Sequence, residues 1–349
     1  MRAAYLYGHQ DLRIEDVPEP EPGPGQVKIR NAYTGICGSD LHRYFAPRGA
    51  PTRLPDPHPL TGATLPQVLG HEFSGTVVQL GGGVDSVAVG DRVAVWPVYY
   101  CGKCAACRKG TVNACRSVGF HGLSSDGGGL AEYTTVPADM LHRLPDSVDL
   151  RLGALVEPMA VAWHAVGISG IHPPQTALIS GAGPIGIGLW FALRARGVET
   201  VVASEPSLTR RAVLQALGAR HVVDPASGRL AAAVEEATEG AGVEVAFDAA
   251  GAAAAILPVL ELLAPGGRLV VVALHEAKAE LNLSVLVQAE ISMLGAMTSL
   301  PRDFDAVITA MADGHYDTTG WVDEIGLDET VSAIGRLRSG SAVKTLVHL

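Results

Sequence analysis

A chain of 349 residues with 48% hydrophobic and 18% charged residues is long enough for two buried cores and too apolar to remain disordered. Its formal net charge of −10, from 26 Lys and Arg against 36 Asp and Glu, excludes a nucleic-acid partner, because no basic stripe remains to track phosphates. Residues 1–13 carry no signal-peptide pattern and no apolar run reaches membrane-spanning length, so a cytoplasmic protein with no membrane partner is expected.

The first 150 or so residues read as mostly strand. Short apolar or alternating runs at 3–6, 26–32, 75–80, 90–95 and 131–136 are separated by Pro- and Gly-rich turns, and helical signal is scarce. The pattern changes near residue 155. Helical spacing over 155–167 leads to a compact apolar strand at 176–180, and strands and helices then alternate. Helices are expected at 185–196, 208–217, 230–238 and 252–263, with strands at 200–204, 221–223, 243–248 and 267–273. Such alternation predicts an α/β domain with a parallel sheet covered by helices on both faces. The stretch 301–349 holds two helical patterns and a last strand at 342–348, able to extend the second domain or return to the first.

The strand at 176–180 runs into Gly181-Ala182-Gly183-Pro184-Ile185-Gly186 and then a helix. This is G-x-G-x-x-G in the context that a dinucleotide needs: Gly181 for the tight turn, Gly183 for approach of the pyrophosphate, and Gly186 for close helix–strand packing. The helix N-terminus, with Pro184 and Ile185 in its first turn, faces the phosphate charge. Glu205, at the end of the next strand, is placed to accept from the adenosine ribose hydroxyls and to repel a 2′-phosphate, which favours NAD over NADP. Arg210 and Arg211, with Ser204 and Ser207 close by, are groups able to take a phosphate should Glu205 turn away.

Four of the five cysteines crowd into Cys101-x2-Cys104-x2-Cys107-x7-Cys115. Four thiolates within tetrahedral reach, with no open position, point to a structural zinc rather than to catalysis. The fifth, Cys37, stands in Gly35-Ile36-Cys37-Gly38-Ser39-Asp40-Leu41-His42; Gly70-His71-Glu72 and Leu155-Val156-Glu157-Pro158 follow. A catalytic zinc needs mixed ligands and one open position. With the other thiols in the lobe, Cys37 supplies the sulfur, and His71 and a carboxylate supply the rest. Glu72 and Glu157 compete. Neighbouring residues on a strand point to opposite faces, so Glu157 is expected as the third ligand, with Glu72 nearby as a supporting or exchanging carboxylate.

Together these motifs resemble the medium-chain zinc alcohol dehydrogenases, and within them the 2,3-butanediol (acetoin) dehydrogenases. The resemblance is carried by Cys37-Gly38-Ser39-Asp40-Leu41-His42, Pro57-His58-Pro59-Leu60-Thr61-Gly62, Leu69-Gly70-His71-Glu72-Phe73-Ser74-Gly75 and the cysteine lobe. Ser117-Val118-Gly119-Phe120-His121-Gly122, Glu157-Pro158-Met159-Ala160-Val161-Ala162-Trp163-His164-Ala165, the glycine loop and Glu205-Pro206-Ser207 add to it. It implies a GroES-like β-barrel-type catalytic domain over 1–154, with a zinc lobe at 98–117, completed by 297–349. A Rossmann doubly wound parallel-sheet domain would occupy 155–296. It further implies two zinc ions per subunit, NAD as cofactor and a small alcohol or ketone as substrate. Cys37, His71 and Glu157 would bind the catalytic zinc. Ser39 would touch the substrate hydroxyl and start a proton relay through the cofactor ribose to His42.

The stretch 45–55 departs from close relatives, which are more apolar there. Arg48 and Arg53 suit a more polar or anionic substrate. A polyol (sorbitol-type) or amino-alcohol dehydrogenase of the same mechanism is the alternative. The strand at 267–273 and the apolar stretch 291–297 are expected to pair across an interface, giving a homo-oligomer, dimer or tetramer.

Overall fold

The structure, a computed structural model, describes residues 1–47 and 57–349. The chain divides into two compact units: residues 1–157, 300–313 and 321–349 form one, and 158–299 with 314–320 form the other.

The first unit is built on a mixed sheet. Its strands run Leu141–Arg143, Arg92–Val95, Glu72–Leu80, Gln26–Gly35, Lys344–His348, Val322–Gly326, with Tyr133–Pro137 pairing alongside Gln26–Gly35. Inward-facing Val27, Ile29, Phe73, Val77, Val93, Val95 and Val136 form one apolar cluster, each burial contributing about 1.5–3 kcal/mol. The tail returns to this unit. Lys344–His348 pairs antiparallel with Gln26–Gly35, placing Leu346 opposite Gly35, and parallel with Val322–Gly326. A hairpin of Arg2–Gly8 and Asp11–Asp16 extends the strand expected at 3–6.

Among the described residues of this strand-rich half, three α-helices were not foreseen, of which Gly38–Phe45 is the longest. Gly38–Phe45 forms because Leu41 and Tyr44, three apart, bury one face against Ile36, Leu69 and Leu130. Asp40 at its third position accepts the backbone N–H of Cys37 at 2.9 Å, satisfying a donor that a bare helix start would leave open.

The second unit is a parallel sheet in the order His221–Val223, Val201–Ser204, Ala177–Ser180, Val243–Asp248, Leu263–Val271, Ser292–Gly295. This is the doubly wound order, reversing direction of growth between Ala177–Ser180 and Val243–Asp248. Every residue of Ala177–Ser180 and Val201–Ser204 is buried, which is why these strands show continuous apolar runs rather than alternation. The helix expected over 252–263 ends earlier, at Ala253–Leu260, because Leu263 already belongs to the next strand. That strand, Leu263–Val271, is paired on both sides, so it is not free to pair across an interface. Its outer neighbour Ser292–Gly295 is one of the two edges of the sheet. Among the described residues no helix is long and apolar enough to cross a membrane.

Candidate active site

The catalytic candidates converge in the first unit. Cys37 caps the helix Gly38–Phe45, and His71 and Glu72 sit where Gly70 hands over to the strand Glu72–Leu80. One ligand atom from each of Cys37, His71 and Glu72 lies within 4.8 Å of the others. The strand begins at Glu72, so its alternation does not govern His71, and the expectation that the two side chains must diverge does not hold. Glu72 instead stands beside the thiol and the imidazole.

His71 has a polar neighbour at each ring nitrogen, but only Nε2 is hydrogen-bonded. Nε2 lies 2.9 Å from Ser39 Oγ, and Nδ1 faces Asp40 Oδ1 at 3.5 Å. Asp40 is fully buried; it also accepts from Gly70 N at 3.4 Å. One carboxylate thus caps the helix carrying Cys37 and orients the ring that follows Gly70, the usual support for a metal-binding histidine. Ser39 and His42 lie three apart on the same helix, Ser39 toward His71 and His42 exposed.

Glu72 has a partner that the sequence analysis did not single out. Lys344, 1% exposed, pairs through Nζ with Glu72 Oε2 and donates to the Ile36 carbonyl at 3.1 Å. Gly35 makes the room: a Cβ there would fall on Glu72 Oε2 and Lys344 Nζ. The available signal was a lysine inside the apolar run Ala342–Val347.

The electrostatics fit a divalent cation. Burial pushes the Cys37 thiol up, and Glu72 adds to the rise. Burial likewise pushes Glu157, in the first turn of Val156–Ser169, up to about 7; His71 and Lys344 oppose the shift, and Glu72 and Asp40 reinforce it. His71 is raised despite its burial, by Asp40 and Cys37. A thiol, an imidazole and carboxylates crowded out of water are the donor set for zinc, whose charge offsets these penalties. Glu157 feels the charges of His71 and Glu72 but does not fall within the 4.8 Å cluster.

The cysteine lobe fits as well. Cys101, Cys104, Cys107 and Cys115 are free thiols with mutual Sγ distances down to 3.5 Å for Cys104–Cys107 and 3.9 Å for Cys101–Cys107 and Cys104–Cys115. A tetrahedron with Zn–S of about 2.3 Å has edges of about 3.8 Å. Backbone N–H groups of Cys101 and Ser117 point at the Cys115 sulfur and that of Cys104 at the Cys101 sulfur, while the backbone groups of Cys107 and Arg116 draw the Cys104 thiol down to about 6.

In the second unit the glycine loop follows Ala177–Ser180. Gly181 has φ +97°, a conformation that favours glycine, and a Cβ on Gly186 would strike the Gly181 carbonyl. Gly183 caps the helix and Pro184 opens it, with Ile185 next. Glu205 is 3% exposed; its carboxylate accepts from Ala182 N at 2.7 Å and Ser207 N at 2.8 Å. Arg211 is committed to the carbonyls of Glu205 and Pro206 and to Asp224. Arg210 differs. Its guanidinium lies 3.9 Å from where a Gly183 Cβ would stand, and its buried Nε has no hydrogen-bond partner. Arg48 and Arg53 lie outside the described residues.

Comparison with known proteins assigns the two parts of the chain to known families. Residues 23–146 match the family model of the alcohol dehydrogenase GroES-like domain, and residues 184–313 that of the zinc-binding dehydrogenases. The (R,R)-butanediol dehydrogenase of Bacillus subtilis strain 168 is 38% identical over 355 residues, covering 100% of this chain and 99% of the relative. A crystal structure of 2R,3R-butanediol dehydrogenase from Bacillus subtilis has a TM-score of 0.91 at 37% identity, with 100% and 99% coverage. An alcohol dehydrogenase from E. coli CFT073 solved with NADH gives 0.89 at 26% identity, again covering 100% and 99%. A zinc-binding dehydrogenase of Sinorhizobium meliloti 1021 bound to NADP gives 0.90 at 30% identity, with 100% and 99% coverage.

Proposed function

The chain belongs to the zinc-binding alcohol dehydrogenases, and on that premise we propose that it interconverts 2,3-butanediol and acetoin with NAD as the hydride carrier. The observation that carries this reading is the buried cluster of Cys37, His71 and Glu72 with Ser39 at its edge, in a chain that is 38% identical along its whole length to an (R,R)-butanediol dehydrogenase.

Cys37, His71 and Glu157 would hold the catalytic zinc, with Glu72 beside them and drawn toward Lys344. Zinc bound there supplies Lewis acidity, which makes a substrate hydroxyl easier to deprotonate. Asp40 places its carboxylate 3.5 Å from Nδ1 of the His71 ring. Ser39 Oγ, 2.9 Å from His71 Nε2, is the hydroxyl placed to take the substrate proton, and His42 on the solvent side of the same helix passes it to water. NAD bound at the glycine loop would supply the acceptor for the hydride of the carbinol carbon. Cys101, Cys104, Cys107 and Cys115 would hold a second, structural zinc.

Glu205 supports NAD. Its carboxylate is fixed at the glycine loop by Ala182 N and Ser207 N, where a 2′-phosphate would meet its charge. Arg210, unpaired at Nε beside Gly183, serves the pyrophosphate in this reading. The edge strand Ser292–Gly295, with Met293 36% exposed and Val287 on the adjoining helix 77% exposed, supports a homo-oligomer.

Initial rates of cofactor reduction test the proposal, with zinc-replete protein, each 2,3-butanediol stereoisomer, sorbitol, a simple secondary alcohol and a 2-hydroxy acid, and with NAD⁺ and NADP⁺ in parallel. Preference for one butanediol isomer with NAD⁺, abolished by a chelator, is expected. Preference for sorbitol would keep the chemistry and move the substrate class to polyols.

A further inference from the structure

At the carboxyl ends of Val243–Asp248 and Leu263–Val271, Asp248 ties together the loops that follow both strands. Its Oδ1 accepts from Ala250 N and Gly251 N at 3.2 Å each, and its backbone carbonyl accepts from Val272 N and Ala273 N at 3.0 Å each. Its Oδ2 lies 2.6 Å from Nε2 of His275. Asp248 is 1% exposed and the His275 side chain 19% exposed. A carboxylate only accepts, so Nε2 carries the proton, and in the neutral ring Nδ1 presents a lone pair. That Nδ1 is buried and has no hydrogen-bond partner among the described residues, an acceptor that none of them satisfies.

Position gives this pair its meaning. The sheet reverses its order between Ala177–Ser180 and Val243–Asp248, and a dinucleotide lies across such a point, outside the carboxyl ends of the strands. The Gly181 turn packs directly on the loop after Asp248: a Cβ on Gly181 would stand 2.9 Å from Ala250 N. The adenosine half goes toward Glu205, after Val201–Ser204. The other half therefore goes the opposite way, toward Asp248 and His275.

We propose that Asp248 and His275 form a cofactor-positioning pair, in which Asp248 sets the ring and His275 Nδ1 accepts a hydrogen bond from the nicotinamide riboside half. The donor is a ribose hydroxyl or the carboxamide N–H. The proposal rests on the nicotinamide-cofactor reading and adds to it a residue on the far side of the switch point. The buried hub on Asp248 means that the ring is oriented before the cofactor arrives, so binding loses little to ordering it.

The test compares dissociation constants of ADP, ADP-ribose and NADH for the full-length zinc-replete protein, its His275→Phe variant and its Asp248→Asn variant, with thermal melts as a check on folding. His275→Phe keeps a ring of similar size and removes the acceptor. It is expected to weaken NADH roughly tenfold, about one hydrogen bond, and to leave ADP within about twofold. A matching loss for ADP-ribose identifies the ribose hydroxyl as donor; a loss confined to NADH identifies the carboxamide. Asp248→Asn offers an amide N–H to Nε2, reverses the tautomer and is expected to reproduce the loss. Unchanged NADH binding in His275→Phe overturns the proposal, as does an equal loss for ADP and NADH, which would mark the pair as purely structural. A wild-type protein that bound ADP but not NADH would remove the cofactor reading, and this proposal with it.

Discussion

Lys344 Nζ pairs with the Glu72 carboxylate across Gly35, joining the last strand of the chain to the strand that follows His71. Both side chains are 1% exposed, so neither charge has water to fall back on. Removing one partner from such a pair leaves the other buried and uncompensated, at a cost of about 3–5 kcal/mol. Lys344→Met should therefore lower the stability of the first unit by about that amount in urea unfolding. Lys344→Met combined with Glu72→Gln should recover more than half of the loss. A single-variant loss below about 1 kcal/mol would show that the pair does not hold in solution.

Gly35→Ala probes the same contact from the backbone. The added methyl falls on Glu72 Oε2 and Lys344 Nζ. Overpacking of this kind costs about 1–3 kcal/mol, and the same urea measurement reads it. A neutral effect would mean that the two side chains give way easily.

Asp40 caps Cys37 N and faces His71 Nδ1, so it sets two metal ligands at once. Asp40→Asn should weaken zinc affinity at the catalytic site by about 10- to 100-fold. Competition against a chromophoric chelator measures it, with the cysteine lobe retaining its own equivalent as an internal reference. Equal loss from both sites would point to general unfolding instead.

Glu205→Ala removes the carboxylate that faces the glycine loop through Ala182 N. The ratio of kcat/KM for NAD⁺ over NADP⁺ should fall by about 10- to 100-fold, equivalent to about 1.4–2.8 kcal/mol. If the ratio does not move, Arg210 rather than Glu205 governs the adenosine side.

His121 gives a pH dependence of known sign. It is fully buried, with Nε2 2.7 Å from Thr134 Oγ1 and Nδ1 3.1 Å from the Tyr99 hydroxyl, and burial lowers it to about 3. The unfolded chain takes up a proton on this residue below about pH 6.5, which the folded chain refuses until about pH 3. Stability is therefore lost as pH falls through that window, at about 1.4 kcal/mol per pH unit from this group alone. Unfolding free energies at pH 7, 6 and 5 check it: His121→Gln should flatten the slope, and an unchanged slope would assign the loss to other groups.

Much of the molecule was legible because its signals are local. The alternation of strands and helices from residue 176 to 248 matches the observed elements within a residue or two, since each buried parallel strand is its own apolar run. The glycine loop and the cysteine lobe likewise carry their chemistry within fifteen residues or fewer. The helix Gly38–Phe45 escaped notice because two buried side chains, Leu41 and Tyr44, are too few to show a period.

The sequence by itself determined the donor chemistry: which residue types are present for zinc, for a dinucleotide and for a proton relay, because spacing within one segment suffices to group them. Only the tertiary structure decided what those donors are set against. Lys344 is 272 residues from Glu72, and His275 is 27 from Asp248 on a different loop. Their pairing follows from strand register, Leu346 opposite Gly35 and Val271 beside Asp248. Register is a property of the folded sheet, in which burial removes water and leaves each charge only the neighbour that the pairing supplies.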